Sequence, residues 1–302
     1  MGFAVRLWFV TLTLVVLAGC GSSIRHRGAL ELKTAEGLSC RAYFAWQHEP
    51  VTDVVLSLGG TGTQSMAFIP EWLEPVLEQR RAALWTFDKP GVSGTFGKQG
   101  STHIEDPPFR RHTQGTLLAC AQLAIEQAHA RFGPAVRFHL RGHSEGGLVL
   151  LYWFDRALES RSDLAQHVAS LILSGVPLEP MQTIFDRQFA QWPGAALGVR
   201  ECNWSAMKQR LGISCDYMRD ATARPSGLAM FERLAQRSVR VPIDIFAGEQ
   251  DLHTPSGFVR ELESWNRAHG HLSLRVQYYQ GGHQGSPEAR RAMTALLLER
   301  IR

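Results

Sequence analysis

The sequence lacks the patterns that mark several common classes of protein. Its 32 Lys and Arg residues, against 28 Asp and Glu for a net charge of +4, form no cluster interleaved with aromatic residues, so nucleic acid is not an expected partner. Internal repeats, heptads and low-complexity segments are also missing. Most histidines have neither metal-ligand spacing nor a neighbouring cysteine pair, so we expect no metal. These histidines include His48, His103, His112, His129 and His271.

The most informative motif in the sequence is Gly142–Gly146, which reads Gly-His-Ser-Glu-Gly and has the pattern GxSxG. The β-rich run Ala135–Arg141 precedes it, and the apolar, helix-like run Leu148–Phe154 follows. A serine on a sharp strand-to-helix turn is held in strained backbone geometry with its hydroxyl exposed, while flanking glycines let neighbouring backbone pass close. The motif therefore predicts a nucleophile elbow at Ser144.

A serine nucleophile needs a base and an acid that orients the base. In the chain order Ser, acid, His, the acid should follow a later strand, and Asp251 follows the strand-like run Val241–Ala247. The histidine should follow the next strand, and His283 comes directly after Leu274–Tyr279 and two glycines. We therefore predict Asp251 as the acid and His283 as the general base.

Other residues near these positions are weaker candidates. Asp244 alternates inside the predicted strand, and Glu249 lies too close to the end of that strand to turn toward a histidine in the next loop. His143, beside the nucleophile, is expected to pack and orient the elbow rather than to transfer a proton. His253 is either a pocket residue or a solvated loop histidine.

The oxyanion formed during acyl transfer needs two backbone donors. Glu145 supplies the first by its position after the nucleophile. The second is predicted in the glycine-rich loop after Val54–Leu58, with Thr61 as the first candidate and Gly60 as the second. This loop has neither GxxxxGK[ST] nor GxGxxG spacing, so we expect no nucleotide. Acyl transfer by such a site needs no cofactor.

Together these residues resemble the α/β-hydrolase superfamily, in particular its esterase-like and serine-aminopeptidase-like members. The resemblance covers most of the chain and includes Thr86–Gly94, which is similar to the segment after the fourth strand of that family. One departure is Gly59-Gly60, where many relatives carry His-Gly. The resemblance implies a serine hydrolase that cleaves an ester or, alternatively, a peptide, and a non-catalytic envelope binding protein is a further alternative.

The fold class expected from the pattern is α/β, with a mostly parallel central sheet, helices on both faces and a helical cap. Predicted strands alternate with predicted helices along residues 30–302, except over 176–240, which we predict to be a cap insertion. The strands are predicted at Cys40–Gln47, Val54–Leu58, Ala82–Phe87, Val136–Arg141, Val168–Ser174, Val241–Ala247 and Leu274–Tyr279. The helices are predicted at Phe68–Gln79, Gly115–Arg131, Gly146–Glu159, Ser256–Ala268 and Pro287–Ile301.

The first residues resemble a bacterial lipoprotein signal. Arg6 precedes the apolar run Leu7–Leu17, which is short for a membrane span, and Leu-Ala-Gly then leads to Cys20. The resemblance implies a signal peptide over residues 1–19, a lipid on Cys20 that anchors the protein to a membrane, and a polar tether over residues 20–29. Gly21 implies sorting to the outer membrane in Gram-negative cells. An uncleaved anchor is the alternative.

Beyond Cys20 the sequence has four cysteines, and an exported protein can form disulfides. Cys202 and Cys215 are near each other in a polar, loop-rich region, which favours their pairing, with free thiols as the alternative. A bond between Cys40 and Cys120 follows by elimination, and the alternative is that both are ordinary buried small side chains.

Overall fold

The computed structural model describes residues 24–97, 100–191 and 213–301. Eight of the strands in this part of the chain form one sheet, in the order β1-β2-β4-β3-β7-β8-β9-β10, and β5 and β6 form a small hairpin. The strands are β1 His26–Lys33, β2 Ser39–Trp46, β3 Asp53–Leu58, β4 Ala82–Phe87, β5 Val92–Ser93, β6 His103–Ile104, β7 Arg137–His143, β8 Val168–Ser174, β9 Ile243–Gly248 and β10 Leu274–Tyr279.

The strand directions make the sheet mostly parallel. Neighbours from β4 through β3, β7, β8 and β9 to β10 all pair in parallel, whereas β2 is antiparallel to both β1 and β4. Every residue of β3, β4 and β9 is buried, as expected for strands covered on both faces. The carboxyl ends of these parallel strands meet at one edge of the sheet, where the predicted site residues lie.

Helices cover both faces of this sheet. On one face, α3 and α4 pack against the larger apolar core; on the other, α1 and α10 cover a second core that includes Val55, Leu84 and Phe246. The helices are α1 Glu74–Gln79, α2 Asp106–Arg111, α3 Gln114–Phe132, α4 Glu145–Glu159, α5 Asp163–Gln166, α6 Met181–Gln191, α7 Cys215–Thr222, α8 Gly227–Gln236, α9 Ser256–His269 and α10 Pro287–Arg300. The predicted fold class, α/β with a mostly parallel sheet, is confirmed.

Two predicted boundaries are wrong. Strand β1 pairs along its whole length with β2, so residues 26–29 of the predicted tether belong to the sheet. The polar composition of this stretch concealed an edge strand whose residues are mostly half-buried. The helix predicted over Phe68–Gln79 begins only at Glu74, because Pro70 and Pro75 lack the N–H that a helix interior requires, and Pro75 is tolerated in the first turn.

The predicted cap, residues 176–240, contains α6, α7 and α8 in its described part. Tyr152 on α4 donates a hydrogen bond to the carbonyl of Pro225 (2.6 Å), and Asp220 on α7 accepts one from the N–H of Gly115 at the start of α3 (2.9 Å). Helices α7 and α8 are thus held on the main core. No helix among the described residues has the length and hydropathy needed to cross a bilayer.

A disulfide joins Cys40 on β2 to Cys120 on α3 across 80 residues of sequence, and both cysteines are fully buried. This is the pairing that the sequence reached only by elimination. Cys215 is also disulfide-bonded, whereas Cys202, its predicted partner, lies outside the described residues. The predicted signal peptide and Cys20 lie outside them as well.

Candidate active site

Ser144 lies at a strained turn between β7 and α4, with φ +53° and ψ −124°. Positive φ is uncommon for a residue with a side chain, and the surrounding structure must enforce it. A Cβ on Gly142 would overlap the backbone of Gly147, and one on Gly146 would lie 2.5 Å from the carbonyl oxygen of Gly59. Both flanking glycines are therefore required by close backbone contacts, and the strained elbow predicted from the motif is present.

Asp251 and His283 come from neighbouring loops, after β9 and β10, and their side chains meet. Nδ1 of His283 is 2.8 Å from Oδ2 of Asp251. The other carboxylate oxygen, Oδ1, accepts hydrogen bonds from the backbone N–H groups of His253 (2.8 Å) and Thr254 (2.9 Å). Burial raises the pKa of Asp251, but the hydrogen bonds from His283 and Thr254 outweigh it and lower the pKa to about 2. Asp251 is therefore an ionised, fixed acceptor for the imidazole.

Ser144 and His283 line the same pocket. A Cβ on Gly175 would lie 3.0 Å from Cε1 of His283, so the backbone of Gly175 limits where this ring can lie. Among the described residues, no hydrogen bond joins the Ser144 hydroxyl to His283. Catalytic hydrogen bonds of this kind are often long before substrate binds and shorten in the reacting complex.

Glu249 and Asp244, the weaker candidates for the acid, are both bound by other side chains. Glu249 is bound by Arg260, at 3.0 Å, and by the side-chain amide of Gln280. Asp244 is buried and held by Arg275 and Arg300, each at 2.6 Å. Neither carboxylate contacts His283.

Two further histidines flank His283, with ring centroids 4.9 Å away for His143 and 5.1 Å for His253. Burial, together with the neighbouring Arg141 guanidinium, lowers the pKa of His143 to about 3. Burial and the nearby His283 also lower the pKa of His253. His143 is therefore neutral near pH 7, and its Nδ1 lies 3.1 Å from the Ser174 hydroxyl, which fixes the ring beside the elbow.

The residues predicted as oxyanion donors line the same pocket as Ser144. A Cβ on Gly60 would lie 3.1 Å from Cβ and 3.6 Å from Oγ of Ser144, so the Gly60 backbone passes directly beside the serine. Thr61 lines the same pocket. Glu145 is the first residue of α4, where backbone N–H groups have no acceptor within the helix. The assignment of Thr61, Glu145 and Gly60 as donors stays a prediction.

The sequence did not point to Lys89, whose side chain contacts both segments that carry the predicted oxyanion donors. Lys89 lies just after β4, and its ammonium group donates to the Gly60 carbonyl (3.0 Å) and to Oε2 of Glu145 (2.6 Å). Because the peptide unit is planar and trans, fixing the Gly60 carbonyl also fixes the direction of the Thr61 N–H. The only sign of this role in the sequence was the position of the lysine, two residues after the buried strand β4.

Tyr217, on α7 of the predicted cap, interacts with Gln114 and with Glu145, the residue after the nucleophile. It is fully buried, and its hydroxyl accepts a hydrogen bond from the Gln114 amide (3.2 Å). Burial and then the nearby Glu145 carboxylate raise the pKa of Tyr217 well above its ordinary value, so the phenol stays protonated. Nothing in the sequence links Tyr217 to Gln114 or Glu145, because these interactions depend on how α7 packs.

The pocket beside Ser144 has a volume of about 220 Å³. Apolar side chains form much of its wall, and α6 contributes Gln188, whose amide is 3.4 Å from Nδ1 of His253. The apolar lining residues are Leu58, Met66, Phe87, Leu117 and Val149. Within the described ranges, no group of three or more His, Cys, Asp or Glu side chains could hold a metal ion.

No protein-family model and no curated protein sequence matches this chain. Solved structures do match it. An esterase from Pyrococcus furiosus is 14% identical with a TM-score of 0.59, covering 91% of this chain and 91% of the esterase. A lipase in its open form is 16% identical with a TM-score of 0.63, covering 91% of this chain and 97% of the lipase.

A third match is an acylaminoacyl peptidase from Pyrococcus horikoshii, 14% identical with a TM-score of 0.60. It covers 92% of this chain but only 41% of the peptidase, so the present chain corresponds to less than half of that protein. At these identities the likeness establishes the fold, and the chain has the α/β-hydrolase fold.

Proposed function

We propose that this protein is a serine hydrolase that cleaves carboxylic esters, with Ser144 as nucleophile, His283 as general base and Asp251 as the residue that orients the base. The observation that carries the proposal is the 2.8 Å contact between His283 and Asp251 in a pocket that also contains Ser144 at a strained elbow. The fold shared with esterases and a lipase supports it. A non-catalytic binding protein would have no need for this combination.

In this mechanism His283 accepts the Ser144 proton as the hydroxyl oxygen attacks the ester carbonyl. The backbone N–H groups of Thr61 and Glu145 stabilise the resulting oxyanion. His283 then donates its proton to the leaving alcohol, and the acyl-enzyme forms. Water, activated by the same histidine, attacks the acyl-enzyme and releases the acid. Asp251 keeps the imidazole in the reactive tautomer throughout, and these steps need no cofactor.

An ester with a small acyl group fits the site better than a peptide with a free amino terminus. A pocket of about 220 Å³ is below the usual range for drug-sized ligands, which is roughly 300–1,000 Å³. A free amine would need an available carboxylate in the cap. Three carboxylates of the described cap instead form ion pairs with arginines: Glu179 with Arg187, Asp216 with Arg219 and Asp220 with Arg224. Of the other two, Asp186 accepts a hydrogen bond from the Gln182 amide (2.7 Å), and Glu232 lines a different cavity.

The test is hydrolysis of p-nitrophenyl esters of increasing chain length beside aminoacyl p-nitroanilides, with purified protein lacking residues 1–19. We expect activity on the short esters and its loss in Ser144→Ala. The matched control is Ser160→Ala, which changes an exposed serine at the far end of α4. Hydrolysis of the anilides in preference to all esters would favour the peptidase, and equal activity of Ser144→Ala and the unchanged protein would exclude this mechanism.

For location, we propose that the protein is a lipoprotein of the cell envelope, anchored by a lipid on Cys20. The support is the sequence of residues 6–20 alone. The experiment is detergent phase partitioning of the full chain and of Cys20→Ser, with Ser22→Ala as the control for a substitution next to the predicted lipidation site. Partitioning of cleaved Cys20→Ser into the detergent phase would contradict the proposal.

A further inference from the structure

A second, larger cavity adjoins the Ser144 pocket. It is an open groove of about 920 Å³ between α1, the segment that precedes it and α10. Gly59, Gly60 and His143 line both the groove and the Ser144 pocket. A substrate bound at Ser144 therefore has a direct route into this groove.

Arg141 lines the groove, and its charge is not balanced by a neighbour. It lies on β7, three positions before Ser144, with its guanidinium 5.2 Å from the centre of the Trp72 ring. Its buried Nε has no hydrogen-bond partner, and no carboxylate in the described part of the chain forms an ion pair with it. By contrast Arg137, at the start of the same strand, pairs with buried Asp53 at 2.7 Å.

The surroundings of Arg141 add positive charge. Burial, and then repulsion from Arg290 on α10, which lines the same groove, lower the pKa of Arg141 to about 10. Glu71 and Glu74 also line the groove, but neither is within ion-pair distance of Arg141 among the described residues. A partly buried guanidinium without a counter-ion is costly unless something pairs with it, and an anion in the groove would do so.

We propose that Arg141 and Arg290 bind the anionic group, a carboxylate or phosphate, of the substrate whose ester linkage lies at Ser144. This inference rests on the proposed hydrolase function and names the substrate class. A guanidinium stacked on an aromatic ring suits planar, bidentate recognition of such oxyanions. The Cα atoms of Arg141 and Ser144 are separated by at most about 10 Å along the strand, a span that a short acyl or alcohol chain can bridge.

The first test compares two ester series in the purified protein: mono-p-nitrophenyl esters of dicarboxylic acids, from succinate to suberate, and neutral p-nitrophenyl esters of equal acyl length. We expect a higher kcat/KM for the anionic ester at one or more chain lengths. Arg141→Gln should lower kcat/KM for that ester roughly 10- to 100-fold, the effect of losing a charge-assisted hydrogen bond, and should lower it much less for the neutral ester of equal length.

Two further variants keep the test decisive if Arg141→Gln folds poorly. Arg290→Gln changes an exposed side chain of α10 and should lower the anionic preference in the same direction by a smaller factor. Arg240→Gln removes the same charge before β9, at the opposite edge of the parallel sheet, and should change neither series. The proposal is overturned if no anionic ester is preferred, or if Arg141→Gln and Arg290→Gln reduce both series equally.

A binding measurement separates this proposal from the hydrolase function. Glutarate and inorganic phosphate are titrated calorimetrically into Ser144→Ala and into Ser144→Ala/Arg141→Gln. Binding that weakens in the double variant supports the anion site even if no ester is hydrolysed, in which case only the proposed function fails. Equal affinity in both proteins, or no binding to either, overturns the proposed anion site. Phosphate that binds without inhibiting hydrolysis of the anionic ester would overturn the assignment to substrate.

Discussion

The ammonium group of Lys89 lies 2.6 Å from the carboxylate of Glu145, and both side chains are withdrawn from solvent, with 11% and 1% of their surfaces exposed. The same ammonium group holds the Gly60 carbonyl at 3.0 Å. One buried ion pair thus connects the glycine loop after β3 with the first residue of α4, the two places from which the oxyanion donors are proposed to come.

Lys89→Met should leave the Glu145 charge buried without its partner and free the Gly60 carbonyl. We expect a loss of about 3–5 kcal/mol in the free energy of unfolding. The kcat for a short ester should fall by up to about 100-fold, with little change in KM, because the oxyanion donors act in the transition state.

Urea unfolding and steady-state kinetics check this prediction, with Lys33→Met on the exposed side of β1 as the matched control. Adding Glu145→Gln to Lys89→Met should recover part of the lost stability, because no charge is then buried alone. An unchanged kcat in a folded Lys89→Met protein would exclude Lys89 from positioning the donors.

Asp251→Asn should lower kcat by about 10⁴-fold, as in the serine proteases, because an amide favours the wrong tautomer of His283 and cannot balance its positive charge. Glu249→Gln is the matched control, since Glu249 follows the same strand but is bound by Arg260 and Gln280. Both variants are measured on one ester. A larger loss of activity at Glu249 than at Asp251 would mean that the acid of the triad is wrongly placed.

Much of the fold could be predicted because its strands are buried, apolar and separated by helical patterns. The chain order of Ser144, Asp251 and His283 also predicted that their loops lie at one edge of the sheet, where the carboxyl ends of parallel strands meet, and the structure places the three residues there. Their catalytic roles stay a prediction. Strand β1 was missed because an edge strand with half-buried residues has a weak pattern.

The remaining features depend on tertiary contacts that local sequence does not encode. Lys89 reaches Gly60 and Glu145 across 29 and 56 positions of sequence. Tyr217 meets Gln114 across 103 positions, because α7 packs on α3. The unbalanced charge of Arg141 is visible only once it is known which carboxylates lie near it.

Stability should fall in acid because His112 is buried in a neutral form. Burial, followed by the charge of Lys89, lowers the pKa of His112 to about 4. Below the unfolded-state pKa of about 6.5 the unfolded chain gains a proton that the folded protein excludes, so the free energy of unfolding falls as pH falls, by up to about 1.4 kcal/mol per pH unit until pH 4.

The measurement is urea unfolding between pH 7 and pH 4 for the unchanged protein and for His112→Gln, which cannot titrate there. We expect a shallower pH dependence in His112→Gln. His103→Gln, at an exposed position, is the control and should keep the original dependence. Identical slopes in all three proteins would show that His112 is not the group that titrates.

Covalent labelling with a fluorophosphonate shows directly whether Ser144 is an activated nucleophile. Attack by the Ser144 hydroxyl oxygen on phosphorus forms an O–P bond and releases fluoride, and peptide mapping by mass spectrometry locates the adduct. We expect one adduct, on Ser144, formed much more slowly in Asp251→Asn and His283→Gln. Absence of an adduct in the folded protein, or an adduct on another residue with Ser144 unmodified, would contradict it.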